Sequence, residues 1–342
     1  MQRLRILLLF CLTLGLACPI SVSAQDPQSD SPIKVQTTLV SVPVIVSDRQ
    51  GRYISGLKSS DFKLYQDLIE QPISYFDAAE EPLNVALLID TSKSTQLVME
   101  EIKSAGVKFL KELRPQDRAM VVSADYDVHV LTELTSERKA LEKAVKSART
   151  GEEIGTVLRD AVSEVIDRSF KRVDGRKAII VLTDGKDVGS RIGEQALLDA
   201  AAESGAMIYT VFFDTAFLRH GWIDATTFPR RRVWLGRQIP PPRPRQQQRR
   251  DRVEMRNEKA VSFLERLAEV SAGRYYSSDT TDLKKTFNLI AEELRHQYRL
   301  GFYPDNSKID GKRHTLKVEV TAPDSIVRAR RSYQAVSQSK GS

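Results

Sequence analysis

Five side chains with hard oxygen donors stand at three separated places in this chain of 342 residues. Asp90, Ser92 and Ser94 fall in the run LLIDTSKS, Thr156 in EIGTVLRDA and Asp184 in AIIVLTDGKD. Carboxylates and hydroxyls gathered together suit a hard divalent cation such as Mg²⁺, Ca²⁺ or Mn²⁺. Taken singly, each group has an ordinary reading. Asp90 at the end of an apolar run can cap a helix, and Ser92 and Ser94 can be turn residues. Thr156 after Gly155 can be an N-cap, and Asp184-Gly185 is a frequent turn signal. Their common placement argues for more. Each falls where a buried strand ends or a loop turns, and in an open α/β sheet the loops at the carboxyl ends of the strands converge on one crevice.

The segments that must hold these groups alternate in period. Residues 84–89 are a short continuous apolar run, as expected for a strand buried on both faces. Residues 95–113 read as a helix with Val98, Ile102, Ala105, Phe109 and Leu113 on one stripe, ended by Pro115. Strands are expected over 119–124, 177–183, 206–213 and 274–277. Helices are expected over 139–148, 156–170, 195–204 (capped by Gly205), 258–272 (capped by Gly273) and 281–296. The alternation predicts an α/β fold, a doubly wound and mostly parallel sheet with helices on both faces, over residues 83–297.

Segments rich in β signals bracket it. In residues 34–82 the run VQTTLVSVPVIVSD alternates strictly, with Val40, Val42, Val44 and Val46 on one face. Pro43 falls on the other face and suggests an edge strand. Further strands are expected over 62–66 and 72–76, then over 298–303, 314–321 and 326–331 within a C-terminal β segment, 298–334. Neither set makes a comfortable core alone, so the two are expected to pair into one small β domain into which the α/β domain is inserted. Two separate β units is the competing layout.

Arg3 and Arg5 precede an apolar stretch, 6–16, and Val22-Ser23-Ala24 precede Gln25. Residues 1–24 therefore read as a secretory signal peptide and 25–33 as a polar, flexible leader. A retained membrane anchor is the alternative, and the apolar run is short for one. The expected product is exported, whether periplasmic, on the cell surface or secreted, with no transmembrane helix after cleavage. Cys11 and Cys18 both lie in the signal, so the mature chain has no disulfide although export permits one. A core must then supply the stability, and 41% hydrophobic residues is adequate for that.

The formal charge of +7 is local in origin. Residues 229–256 hold ten Arg against Asp251 and Glu254. Without them and the two signal Arg the body carries −3, which gives no reason to expect specific nucleic-acid binding. The Pro/Arg-rich insertion, 216–256, is of low complexity and is expected to be mobile or extended. Its charge suits an anionic surface, but few aromatics interleave the Arg, which favours a solubilising loop. Residues 335–342 are a polar tail.

Little here reads as catalytic. His129, His220, His296 and His314 have no zinc-like spacing. Ser92 has no visible triad partners, and no phosphate-cradling glycine loop is present. Asp125 and Asp127 read as solvated turn residues, with a second cation site as the alternative. The expectation is a binding module and not an enzyme.

The order D-x-S-x-S, distant T, distant D resembles the von Willebrand factor A domain with its metal-ion-dependent adhesion site. Asp90, Ser92, Ser94, Thr156 and Asp184 match it over roughly residues 83–296. The flanks DRQGRYISGLKSSDFKLYQD and QYRLGFYPD are similar to a secreted bacterial VWFA-related family known mainly from acidobacterial genomes. Lys93 departs from the small residue usual in the first motif, and Leu68 from the Gly common in the preceding hairpin. The Lys93 ammonium either weakens the metal site or snorkels away from it.

The resemblance implies that Ser92 and Ser94 bind the cation directly, and that Thr156 does so directly or through water. It implies that Asp90 and Asp184 act mostly through water and hydrogen bonds, and that a change at Thr156 is coupled to the helix near 283–294. Neutral hydroxyl ligands leave Mg²⁺ seeking an anionic ligand, so the implied partner is a protein presenting Asp or Glu. The competing function is an envelope scaffold, indifferent to metal, that uses sheet edges and the Arg-rich loop.

Overall fold

The alternating valines form β1 (Val40–Ser47), in which Val42, Val44 and Val46 are fully shielded from solvent. The computed structural model describes residues 39–153, 155–213, 244–278, 282–305 and 310–334, with side chains of the helix beginning at 244 described from 255 onward. The segments expected to be a signal peptide and leader, the insertion up to residue 243 and the polar tail lie outside the described residues.

Three short strands follow, β2 (Phe62–Gln66), β3 (Ile69–Gln71) and β4 (Tyr75–Asp77). The single strand expected over 72–76 is thus replaced by β3 and β4, which belong to different sheets. Pro72 stands between them, where a residue without an N–H interrupts a ladder at no cost. The hairpin joining β2 to β3 turns through Asp67 and Leu68, both with positive φ (48° and 69°). Two-residue turns of this kind favour Gly, so Leu68 holds a conformation that costs about 1 kcal/mol.

The α/β part then runs β5 (Leu83–Asp90), α1 (Met99–Glu112), β6 (Arg118–Ala124), β7 (Val128–Thr135), α2 (Arg138–Ser147) and α3 (Leu158–Glu164). It continues as β8 (Arg176–Thr183), α4 (Glu194–Glu203), β9 (Ala206–Phe212), α5 (Pro244–Val270), β10 (Tyr275–Ser277) and α6 (Leu283–Arg295). The strand order is β10-β9-β8-β5-β6-β7, parallel throughout except for β7. From the sequence no strand range is expected over β7, only a strand edge at His129. β7 is a half-exposed edge strand and lacks the continuous apolar run of its neighbours.

All eight residues of β5 are buried, as a central strand covered on both faces requires. Val85, Leu87 and Ile89 join the core under α1, α2 and α6. Ala86 and Leu88 join the core under α3, α4 and α5. The sheet is therefore doubly wound.

Four strands close the chain, β11 (Tyr298–Phe302), β12 (Arg313–Val320), β13 (Ile326–Ala329) and β14 (Ser332–Gln334). They interleave with the N-terminal ones in two four-stranded sheets, β13-β1-β11-β4 and β14-β12-β2-β3. Their facing side chains, among them Val42, Leu64, Leu300, Phe302 and Leu316, make one core. Strands from the two ends of the chain thus complete each other, because neither set alone covers its apolar face.

Three local expectations change. β1 is an interior strand between β11 and β13, not an edge. Pro43 is accommodated because β13 pairs only with Val44–Ser47, so that side of the strand behaves as an edge at Pro43. Residues 244–256, expected within an extended insertion, are helical. Pro244 suits a first helical turn, and the Arg, Gln, Glu and Met that follow are good helix formers. At the other end of α5 the positive φ (61°) belongs to Ala272, not to Gly273. Gly273 serves close approach instead, since a Cβ there would lie 1.9 Å from the Ile208 carbonyl oxygen. No helix among the described residues is long and apolar enough to cross a membrane.

Candidate metal centre

β5 and β8 are hydrogen-bonded neighbours, but the chain leaves β5 toward β6 on one side and leaves β8 toward β9 on the other. Such a reversal of strand order opens a crevice at the carboxyl ends, because the connecting segments diverge. Asp90 ends β5 and Asp184 follows directly on β8. Both are buried, with exposures of 0% and 2%.

Short-range bonds set the geometry of the first loop. The Ser92 amide donates to Asp90 Oδ1 at 2.9 Å, and the Thr95 hydroxyl donates to the Ser92 carbonyl at 2.8 Å. A 3-10 turn, Lys93–Val98, begins there. It brings the Ser92 and Ser94 hydroxyls 2.9 Å apart.

Backbone bonds gather the other loops. Thr91 N–H donates to the Ala124 carbonyl at the end of β6, and Gly151 N–H donates to the Thr91 carbonyl, both at 2.8 Å. Val157 N–H donates to the Asp125 carbonyl at 2.8 Å, and Val188 N–H to the Thr156 carbonyl at 2.9 Å. Buried Thr156 is thereby tied to the loop that carries Asp184. Side chains reinforce that tie. Asp187 accepts from the Arg159 amide at 2.9 Å and from the Ser190 hydroxyl at 2.8 Å. Asp160 accepts from the Arg191 and Ile192 amides at 2.9 Å. The structure thus brings Asp90, Ser92, Ser94, Thr156 and Asp184 to one end of the sheet.

Two site-shaping residues were not singled out from the sequence. The Thr183 hydroxyl donates to Asp90 Oδ2 at 2.7 Å and accepts the Gly185 amide at 2.8 Å. Lys186 donates from its backbone to Asp184 Oδ1 at 3.3 Å, and its ammonium pairs with Asp184 Oδ2. The signal for both was their position in LTDGK, a hydroxyl one residue before the acid and an ammonium two after it. Gly185 between them has φ +77°, and a Cβ there would meet the Ala260 Cβ at 2.8 Å. Lys93, the expected source of interfering charge, is exposed.

The centre is electrostatically under-compensated. Burial, and then the neighbouring charge of Asp184, push Asp90 up to about 7 against the pull of its hydrogen bonds from Thr183 and Ser92. The donor set also fits a small hard ion. Oxygens adjacent in an octahedron with ligands at about 2.0–2.1 Å lie about 2.9 Å apart, the Ser92–Ser94 separation. Among the described residues no three His, Cys, Asp or Glu gather in a metal-binding group, so a cation held here would draw on the hydroxyls as well as the carboxylates. Beside Thr156 a groove of about 610 Å³ runs between Tyr126, Val157, Glu164, Gly189 and Ile192. Leu97, Tyr126 and Val188, from the loops of the centre, are well exposed at 66%, 60% and 59%.

The remaining candidates are structural. Asp125 accepts from the Asp127 amide at 3.0 Å and contacts exposed His129 at 3.1 Å, which makes the pair turn residues. His296 ends α6 on Ser55 and Glu292. His314 is buried between Asp67 at 2.7 Å and Asp310 at 3.1 Å. His220 lies outside the described residues.

Residues 84–222 match the profile of the von Willebrand factor type A domain. No match is found among curated proteins. Similar solved structures include the vWF domain of the type V pili tip protein Mfa5 from Porphyromonas gingivalis, at 12% identity and a TM-score of 0.44, covering 62% of this chain and 94% of that one. BatB from Bacteroides thetaiotaomicron has 19% identity and a TM-score of 0.43, covering 62% and 97%. Proximal thread matrix protein 1 from the mussel byssus, solved with a zinc-occupied MIDAS motif, has 14% identity and a TM-score of 0.47, covering 66% and 48%.

Proposed function

We propose that the von Willebrand factor type A domain of this chain is a metal-dependent protein-interaction module of an exported protein, without catalytic activity. The hydroxyls of Ser92, Ser94 and Thr156 would hold a divalent cation, Mg²⁺ first among the candidates. Asp90 and Asp184 would support it through hydrogen bonds and water. Bound there, the cation supplies a Lewis-acidic position that accepts a carboxylate. The partner is then a protein that offers an Asp or Glu to the crevice and rests apolar surface on Leu97, Tyr126 and Val188. Export is supported by the signal-like residues 1–24.

The observation that carries this reading is the Ser92–Ser94 hydroxyl pair, 2.9 Å apart, set beside two buried carboxylates where the strand order reverses. Titration calorimetry with Mg²⁺ and Mn²⁺ tests it. The wild-type chain should bind one cation, and Ser92→Ala should lose at least about tenfold in affinity while staying folded, because a direct ligand is gone. In envelope extracts the partner should be retained in Mg²⁺ and released by EDTA. Retention that ignores EDTA but fades with salt would replace this reading with the metal-indifferent scaffold.

A further inference from the structure

Asp90 and Asp184 differ in what surrounds them. The two oxygens of Asp90 accept from neutral donors, the Ser92 amide and the Thr183 hydroxyl. Both oxygens of Asp184 accept from Lys186, one from its amide and the other from its ammonium. Neighbouring cations are committed elsewhere, Arg159 to Asp187 and Arg191 to Asp160. The Lys186 side chain keeps a third of its surface exposed while its acid is 1% exposed, so the ammonium has a path to solvent and the carboxylate does not.

We propose that Lys186 is a tethered competitor of the metal ion, neutralising Asp184 when the centre is empty and withdrawing from it when a cation binds. The inference rests on the metal-binding reading above and adds to it a residue that sets affinity. A divalent ion that draws on Asp184 meets a like charge already lodged on the same carboxylate. Binding must either break the Lys186 pair or tolerate the repulsion, and both raise the cation concentration at which the centre fills. Screening by solvent at the partly exposed ammonium moderates the effect without removing it. Occupancy, and with it partner binding, would then follow ambient divalent concentration in place of being permanent.

Calorimetric titration of Mg²⁺ and Mn²⁺ into the full chain, as wild type, Lys186→Met, Lys186→Gln and Lys186→Arg, tests this. Both neutral variants should bind about tenfold more tightly than wild type. Lys186→Arg, which keeps the charge, should stay within about threefold of wild type. Thermal unfolding gives a second readout. In EDTA the neutral variants should melt below wild type, since Asp184 has lost its counter-charge, and saturating Mg²⁺ should raise their midpoint further than it raises that of wild type. Equal or weaker binding by Lys186→Met and Lys186→Gln beside measurable wild-type binding would overturn the role of Lys186 alone. Absence of cation binding in wild type and neutral variants alike would overturn the metal-binding reading together with it.

Discussion

Glu293 and Asp90 are both fully buried carboxylates, placed at opposite ends of the same six-stranded sheet. Glu293 sits near the end of α6, whose Leu294 carbonyl receives the side chain of Arg176 from the start of β8. It accepts from Tyr209 at 2.7 Å and Tyr53 at 3.1 Å, and pairs with Arg328 and, at 3.4 Å, with Arg274. Two cations and two hydroxyls from four different segments offset its desolvation. Asp90 receives one hydroxyl and one amide, both neutral, with another carboxylate for company. A buried acid that serves the architecture is surrounded by cations from its own chain. A buried acid left short of them is poised for a cation from outside. The first arrangement also joins α6 to the β-sheets, because Tyr53 and Arg328 belong to the segments around β1 and β13.

Substitution at the two carboxylates should separate these roles. Glu293→Ala leaves Arg328 and Arg274 without their buried partner, and denaturant unfolding should show a loss of about 3–5 kcal/mol. Cation affinity in the folded fraction should not change. A loss under about 1 kcal/mol would mean that the network around Glu293 is not what holds that end together.

Asp90→Asn should act in the opposite sense. The amide can keep the bond from the Ser92 N–H and removes a charge that burial and Asp184 oppose. In EDTA the variant should be at least as stable as wild type near neutral pH, and the stabilisation by Mg²⁺ should vanish. The sign extends to pH. Because folding raises Asp90 from 3.8 to about 7, the folded state holds the extra proton between those values. Stability of the chelated wild type should therefore fall as pH rises through that window, and Asp90→Asn should flatten this part of the profile. A marked destabilisation by Asp90→Asn in EDTA would break the comparison, since it would make Asp90 structural in the way Glu293 is.

The smallest effect is expected at His314, an acid–base pair within the β-sheets that needs no outside ion. Burial pulls His314 down, but hydrogen bonds and charge from Asp67 and Asp310 leave it raised above 6.5. Hydrogen bonding by His314, then by the Thr315 amide, lowers Asp67 from 3.8 to about 2. The stability from raised His314 is present below 6.5 and is lost as pH rises through its folded value. That from lowered Asp67 is present above 3.8 and is lost as pH falls toward 2. The melting difference between wild type and His314→Gln should thus be largest near pH 5 and shrink toward pH 9, with no response to Mg²⁺ or EDTA.

Much of this arrangement was legible in one dimension. The apolar runs within residues 84–89 and 177–183 announced buried strands, and the period of the helical segments announced the helices around the sheet. The positions where those strands end located Asp90 and Asp184. What escaped was governed by neighbours distant in the chain. Pro43 signalled an edge because nothing local discloses that β13 stops beside it. The run RQQQRRDRVEMR was read by its low complexity, although its residue types favour the helix it forms. Thr183 and Lys186 passed unremarked because a hydroxyl and an ammonium beside an acid are ordinary until the acid is seen to be buried.

The amino-acid sequence by itself determined the local pieces: the strand and helix periods, and a D-x-S-x-S turn whose two hydroxyls lie two residues apart on one face. Those depend on backbone angles and on bonds spanning a few residues. Only the tertiary structure decided that β8 lies beside β5, which brings Asp184 and Thr156 to Asp90, and that Glu293 receives two cations and two hydroxyls from four segments while Asp90 receives no cation. Strand order follows from which apolar faces stack on which. Many stackings satisfy the same periodicity, and the charges that end up facing each other are set by the one that packs best.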